Sequence, residues 1–301
     1  MVSSYPFILS AILAIANAKP VPNAPTKVAR QTSAEPSSYP LGGACGNEWK
    51  YLNFNKDDAT DKSRLQKLHD IICVGEMRAL SAWGANAAGK GNEVYKTFFP
   101  LSDDEDDTQA NVEEVLRKIS GQSSAEGMVG KIVGSFVVDN KDFGVDTGNT
   151  CSNEGTLAYT DIDPSDNREK IHFCPIAYNR GTTIIDVSCS KLDNYASTKM
   201  DTFSRIALHE MLHYKTMGVD SGVGAQIVDV NNADGASAYD PERCFGLVDE
   251  DQDDNPGAAE INADSYAWMA LDAWVSYNCI AEDKKEEYDE FFELEPPEYE
   301  D

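Results

Sequence analysis

Residues 207–213, "ALHEMLH", place His209 and His213 four apart with Glu210 beside the first. On an α-helix, positions i and i+4 share a face with Cβ atoms about 5–6 Å apart, so both imidazoles can offer a nitrogen to one Zn²⁺ at about 2.0–2.1 Å. Glu210 lies one residue round, beside such an ion but free of it, where a general base for activated water has to stand. Phe203, Ile206, Ala207, Met211 and Leu212 supply an apolar side, which predicts a mostly buried helix. An unpaired imidazole is costly there, and a metal removes that cost.

A catalytic zinc site takes a third protein ligand and leaves a fourth position open. The extended metzincin pattern would put Gly at 216 and His at 219, but the chain has Thr216 and Val219, and no histidine follows His213. The third ligand is therefore expected to be a carboxylate. Asp229 lies in the short apolar run "GAQIVDVNN", whereas Asp220 and Asp234 have turn-like polar surroundings. In "AEINADSYAW", Glu260 could bind from a second helix while Asp264, four residues on, supports a ligand histidine. These residues alone leave the choice open.

Working outward, segments 201–217 and 258–279 read as helices separated by a long polar loop. Ahead of them "KIVGSFVVD", "TLAYTDID" and "EKIHFCPIAY" are short, β-branched and aromatic, and predict strands of one small sheet. Earlier still, Leu65, Leu68, Ile72, Met77, Leu80 and Trp83 recur at helical spacing over 61–87 with Asp61 as cap, and 108–119 repeats the pattern with Thr108 as cap. Helices, a small sheet, then helices predict a mainly helical α+β domain over residues 45–280.

The termini read differently. The apolar run from Pro6 to about Ile15, followed by Ala16-Asn17-Ala18, fits a secretory signal over 1–18, too short to span a bilayer. Residues 19–44, rich in Pro, Ser and Ala, predict a flexible leader or pro-segment, with Lys27-Val-Ala-Arg30 a candidate processing site. Residues 281–301 predict an acidic, disordered tail. Export suits seven cysteines without close metal-binding spacing. Cys151–Cys174 across the predicted hairpin is the best pairing; Cys45–Cys73 and Cys244–Cys279 complete the set and leave Cys189 free. His69 and His172 lack a partner at ligand spacing and read as structural. The net charge of −27 repels phosphate backbones and anionic lipid, which argues against nucleic acid and membrane surfaces as partners. A monomer is expected.

"ALHEMLH", "IVD", "AYDP" and "NADSYAW", in that order, resemble the secreted fungal metallopeptidases of the deuterolysin and peptidyl-Lys type, the aspzincins. The resemblance spans about Cys151 to Cys279 and implies a zincin-like fold, one zinc ion and polypeptide substrates. It implies His209 and His213 as zinc ligands, Glu210 as general base and Asp229 as the ligand aspartate. It also implies Tyr239 as the oxyanion-stabilising tyrosine and Asp264 as an aspartate lining the substrate pocket. The family's compact Gly-Thr-x-Asp-x-x-Tyr-Gly is stretched here, with Asp229 and Tyr239 ten apart and Asp240 in place of the last glycine. Relatives that cut before lysine carry a second acid where this chain has Ala267, so lysine selectivity is not expected. The expected activity is a secreted zinc endopeptidase. The alternative is a non-catalytic secreted zinc-binding protein on a degenerate zincin fold, favoured by Asp240 and opposed by the intact Glu210.

Overall fold

The computed structural model describes residues 49–289, apart from 74–75, 101–106, 121–135, 145–149, 182–186, 233–234 and 251–256. The predicted signal, the leader, residues 290–301 and the Cys45–Cys73 pairing lie outside the described residues.

The predicted 61–87 helix is two helices. α1 (Ala59–Leu68) is capped by Asp58, whose carboxylate accepts the Thr60 and Asp61 amides at 2.9 and 3.0 Å. Asp61, the expected cap, instead accepts the Asn55 amide. A π-helical turn, His69–Cys73, separates α1 from α2 (Glu76–Lys90). Ile72, within that turn, and Met77, in α2, are both buried. All six of the expected apolar positions are buried. α3 (Glu93–Phe98), missed in the sequence, precedes α4 (Thr108–Ser120), in which Thr108 is the first helical residue rather than the cap.

A mixed sheet follows, in the order β1-β2-β4-β3. β2 (Phe136–Asp139) lies parallel to both β1 (Trp49–Leu52) and β4 (Arg168–Phe173), while β3 (Ala158–Asp163) pairs antiparallel with β4 and forms the edge. β1 escaped the sequence reading because its four residues carry too little pattern. Cys151–Cys174 closes the β3–β4 hairpin, as expected.

At the tip of that hairpin the Lys170 ammonium, almost wholly buried, lies 2.6 Å from Asp163, 2.9 Å from Asp166 and 3.5 Å from Asp139. Lys170→Met would leave Asp139 and Asp163 buried without a cation, an uncompensated arrangement that costs about 3–5 kcal/mol. Urea denaturation checks this, and an unchanged midpoint would show that the cluster is solvated. The hydrogen bond from Lys170 pulls the Asp163 pKa down to about 2. An unfolded aspartate titrates near about 3.9. The contribution is thus complete above that value and is lost as pH falls through 2.

The second helical part contains α5 (Phe203–Leu212), α6 (Lys215–Gly218), α7 (Pro241–Glu250), α8 (Ala258–Ile261) and α9 (Ala263–Asn278). Two predicted helices are thus each broken, 201–217 after Leu212 and 258–279 at Asn262, and the expected polar loop contains α7. α9 is buried along most of its length, and α2 packs between it and α4 where Gly84 permits it: a Cβ there would lie 2.9 Å from both the Ala270 Cβ and a Leu116 methyl.

The second disulfide joins Cys189 to Cys279, not Cys244 to Cys279 as expected. Cys244 faces inward from α7, fully buried as a free thiol 3.4 Å from the Ala238 carbonyl. Cys279, at the end of α9, meets the short turn Cys189–Lys191 instead. Order also continues past Ala281, where disorder was expected. α10 (Lys285–Asp289) seats a buried Tyr288, whose hydroxyl donates to Asp272 at 2.5 Å. Among the described residues no helix is long and apolar enough to cross a membrane.

Candidate metal centre

Thr202 caps α5, its hydroxyl accepting the Arg205 amide at 3.2 Å, and every residue of the helix is buried. The two histidines meet on one face, with Nε2 of His209 and Nε2 of His213 3.0 Å apart and rings at 90°. Asp229 Oδ1 stands 3.3 Å from each of these nitrogens.

Asp229 reaches this place through the break at Asn262. There the backbone is extended, and Val228 pairs with it, donating to the Ile261 carbonyl at 2.8 Å and accepting the Ala263 amide at 2.9 Å. The Asn262 side chain locks the pairing by accepting the Val230 amide at 3.2 Å. The first residue of the "NADSYAW" motif thus presents the loop that carries Asp229.

The second nitrogens identify the tautomers. His213 Nδ1 lies 3.2 Å from the Ile227 carbonyl, which can only accept, and His209 Nδ1 lies 3.0 Å from Asp264 Oδ1. Each Nδ1 therefore carries a hydrogen, and in the neutral imidazole this leaves each Nε2 with a lone pair. With both imidazoles neutral, two lone pairs and a carboxylate oxygen converge, which is repulsive unless a proton or a metal cation stands between. Tetrahedral ligands at about 2.0 Å from one ion are about 3.3 Å apart, close to the spacings found. The set fits a single divalent metal. Although burial opposes charge on His209, the carboxylates of Asp264 and Asp229 raise its pKa well above the usual value. That pull on a proton is equally a pull on a metal cation.

Glu210 is buried beside this cluster. Thr160 Oγ1 on β3 lies 2.8 Å from Glu210 Oε2 and 2.9 Å from the Glu210 carbonyl oxygen. Burial pushes the Glu210 pKa up, against the opposing pull of the two histidines. Tyr239, half exposed, donates its hydroxyl to Asp229 Oδ2 at 3.0 Å. Burial and the Asp229 charge raise its pKa, so it stays a phenol able to donate.

Asp264 is 2% exposed. Its Oδ1 accepts from Arg205 Nη1 as well as His209 Nδ1. Arg205 also bonds Asp201 at 2.7 Å and lies 4.4 Å from the Trp268 ring centroid.

All six expected site residues, His209, Glu210, His213, Asp229, Tyr239 and Asp264, line one cleft of about 590 Å³. Edge strand β3 borders it through Ala158, Tyr159 and Thr160, and Arg180, Asp201 and Trp268 lie elsewhere on its walls. Of the competing carboxylates, Asp220 is exposed in a turn, Glu260 accepts the Asn111 amide at 2.9 Å, and Asp234 lies outside the described residues. His172 lies near Cys151 and Cys174, but those sulfurs are joined in a disulfide and offer no thiolate. Its Nδ1 faces the Asp139 carbonyl at 2.7 Å.

Sequence reasoning missed Arg205 and Thr160. Arg205 had a signal, a charge four residues before His209 on the buried side of an otherwise apolar helix. Thr160 had none beyond its place in a predicted strand. No family model, curated protein or solved structure matches the chain.

Proposed function

We propose that the chain is a secreted, zinc-dependent endopeptidase with a zincin-like fold of the aspzincin kind. The observation that carries this reading is the placement of Glu210: a buried carboxylate on the same cleft wall as three convergent metal-binding atoms, and not one of them. A store or carrier of metal needs no base there. Two disulfides and the predicted signal favour export.

His209, His213 and Asp229 would hold the ion. A bound zinc supplies Lewis acidity to the scissile carbonyl and lowers the pKa of water towards about 7. Glu210 takes the proton of the attacking water and returns it to the leaving amine, helped by the raised pKa that burial confers. Tyr239, exposed enough to turn from Asp229, donates its hydroxyl to the developing oxyanion. Asp264 orients His209, and Arg205 neutralises Asp264 from behind. A lysine side chain entering the cleft would meet a carboxylate already paired, which accords with cleavage that does not select lysine. Among the described residues β3 is the outer strand of the sheet and lines the cleft, where an extended peptide can add as a further strand.

The test combines metal analysis with casein hydrolysis. The purified chain should hold one zinc ion and cleave casein, a chelator should stop cleavage, and added zinc should restore it. Bound zinc without hydrolysis would favour the non-catalytic alternative, and a folded chain that binds no ion would overturn both.

A further inference from the structure

We propose that Thr160 is a positioning residue for Glu210, fixing the rotamer of the base so that one carboxylate oxygen is anchored to the sheet and the other is left for the reaction. The inference rests on the endopeptidase reading above. Thr160 is placed by the sheet and not by its own freedom. It pairs with Ile171 in the middle of a six-pair antiparallel register, between Tyr159 and Asp161. Neighbouring residues of a strand point to opposite faces. Tyr159 turns to the far face, where its hydroxyl donates to Asp142 at 2.7 Å, and Thr160 therefore turns towards α5. A β-branched side chain has few rotamers to choose from.

The Glu210 side chain has three torsions, and it is buried at the wall of the cleft. Among the described residues Thr160 is the hydrogen-bond partner of its carboxylate, at Oε2. The same hydroxyl reaches the Glu210 backbone carbonyl, so strand β3 grips both ends of one residue. A hydroxyl carries one hydrogen and two lone pairs. It donates to Oε2 while Glu210 is charged. Once Oε1 has taken a proton from the attacking water, Oε2 is the carbonyl oxygen of the acid and still accepts from the hydroxyl. Oε1 keeps its direction in both forms. Valine has the shape of threonine and no hydroxyl; serine keeps one.

Thr160→Val should lower kcat by about 10- to 100-fold with KM changed less than about twofold, the loss expected when a reacting group is misplaced by about 1 Å. Zinc content should stay at the wild-type value. Thr160→Ser should recover kcat to within about threefold of wild type, since it restores the hydroxyl. Crystal structures supply the second reading: Glu210 turned from its wild-type rotamer in Thr160→Val and returned to it in Thr160→Ser. Thr160→Ala, which adds no methyl group, gives the same readings if Thr160→Val does not fold. Wild-type kcat in the valine variant, an equal loss in the serine variant, or an unmoved Glu210 overturns the proposal. If the wild-type chain binds zinc and cleaves nothing, the endopeptidase reading fails, and the rotamer comparison still decides what Thr160 does.

Discussion

Glu210→Gln is expected to retain zinc and lose peptide hydrolysis by about 10²- to 10⁴-fold, the usual contribution of a positioned acid–base group. The amide has nearly the shape of the carboxylate and can still accept the Thr160 hydrogen bond at its oxygen. It cannot take a proton from water. Stability should not suffer, because Glu210 is 3% exposed and a neutral amide is cheaper to bury than a charge. The variant should thus melt at or above the wild-type temperature with one ion bound. Peptidase rates, metal content and a melting curve check the three parts. A near-normal rate would remove Glu210 from the mechanism, and loss of the metal would make it a ligand.

Arg205→Met carries the second large effect, this time on the frame of the site. Burial opposes a charge on Arg205, but Asp201 and Asp264 outweigh it and hold the guanidinium firmly protonated. Methionine would fill much of the volume over Trp268 and leave both acids without their cation. Asp201 keeps Arg180 at 3.8 Å, whereas among the described residues Asp264 keeps only His209. Removing one partner of such a buried network costs about 3–5 kcal/mol. The effect extends to the metal. An uncompensated Asp264 strengthens the hold of His209 on a second proton, and an imidazolium has no lone pair to give. Disturbing the group behind a ligand histidine weakens metal affinity by about 10- to 100-fold. Chemical denaturation of the metal-free chain and a competitive zinc titration measure the two effects separately. Wild-type values in both would mean that the arginine is dispensable. Arg205→Lys should fall between, since it keeps the charge but not the two-directional fork.

The parts of the site legible in the sequence are those set by one helix. His209, Glu210 and His213 lie within a single turn, where spacing determines geometry, and the apolar residues around them foretell burial. Asp229 was one of several candidates because its place depends on a pairing between Val228 and Asn262 that no local pattern announces. The "NADSYAW" stretch reads as helix from end to end, yet its asparagine adopts extended backbone to make that pairing. Tertiary contact overrides propensity there. The same holds for the sheet. β3 and β4 lie in stretches that are visibly β-branched and aromatic, whereas β1 has four residues and becomes a strand by lying against β2. Cysteine pairing failed for a related reason. Cys244 and Cys189 look alike in sequence, and only the direction in which α7 faces makes one inaccessible to Cys279.

The Asn262 break orders events in time. A growing polypeptide displays both imidazoles long before the residue that anchors the third donor has been made. Until that stretch folds back, only two of the three converging groups are in place. The proposed centre can therefore close only after residue 262 has been made and has paired with Val228.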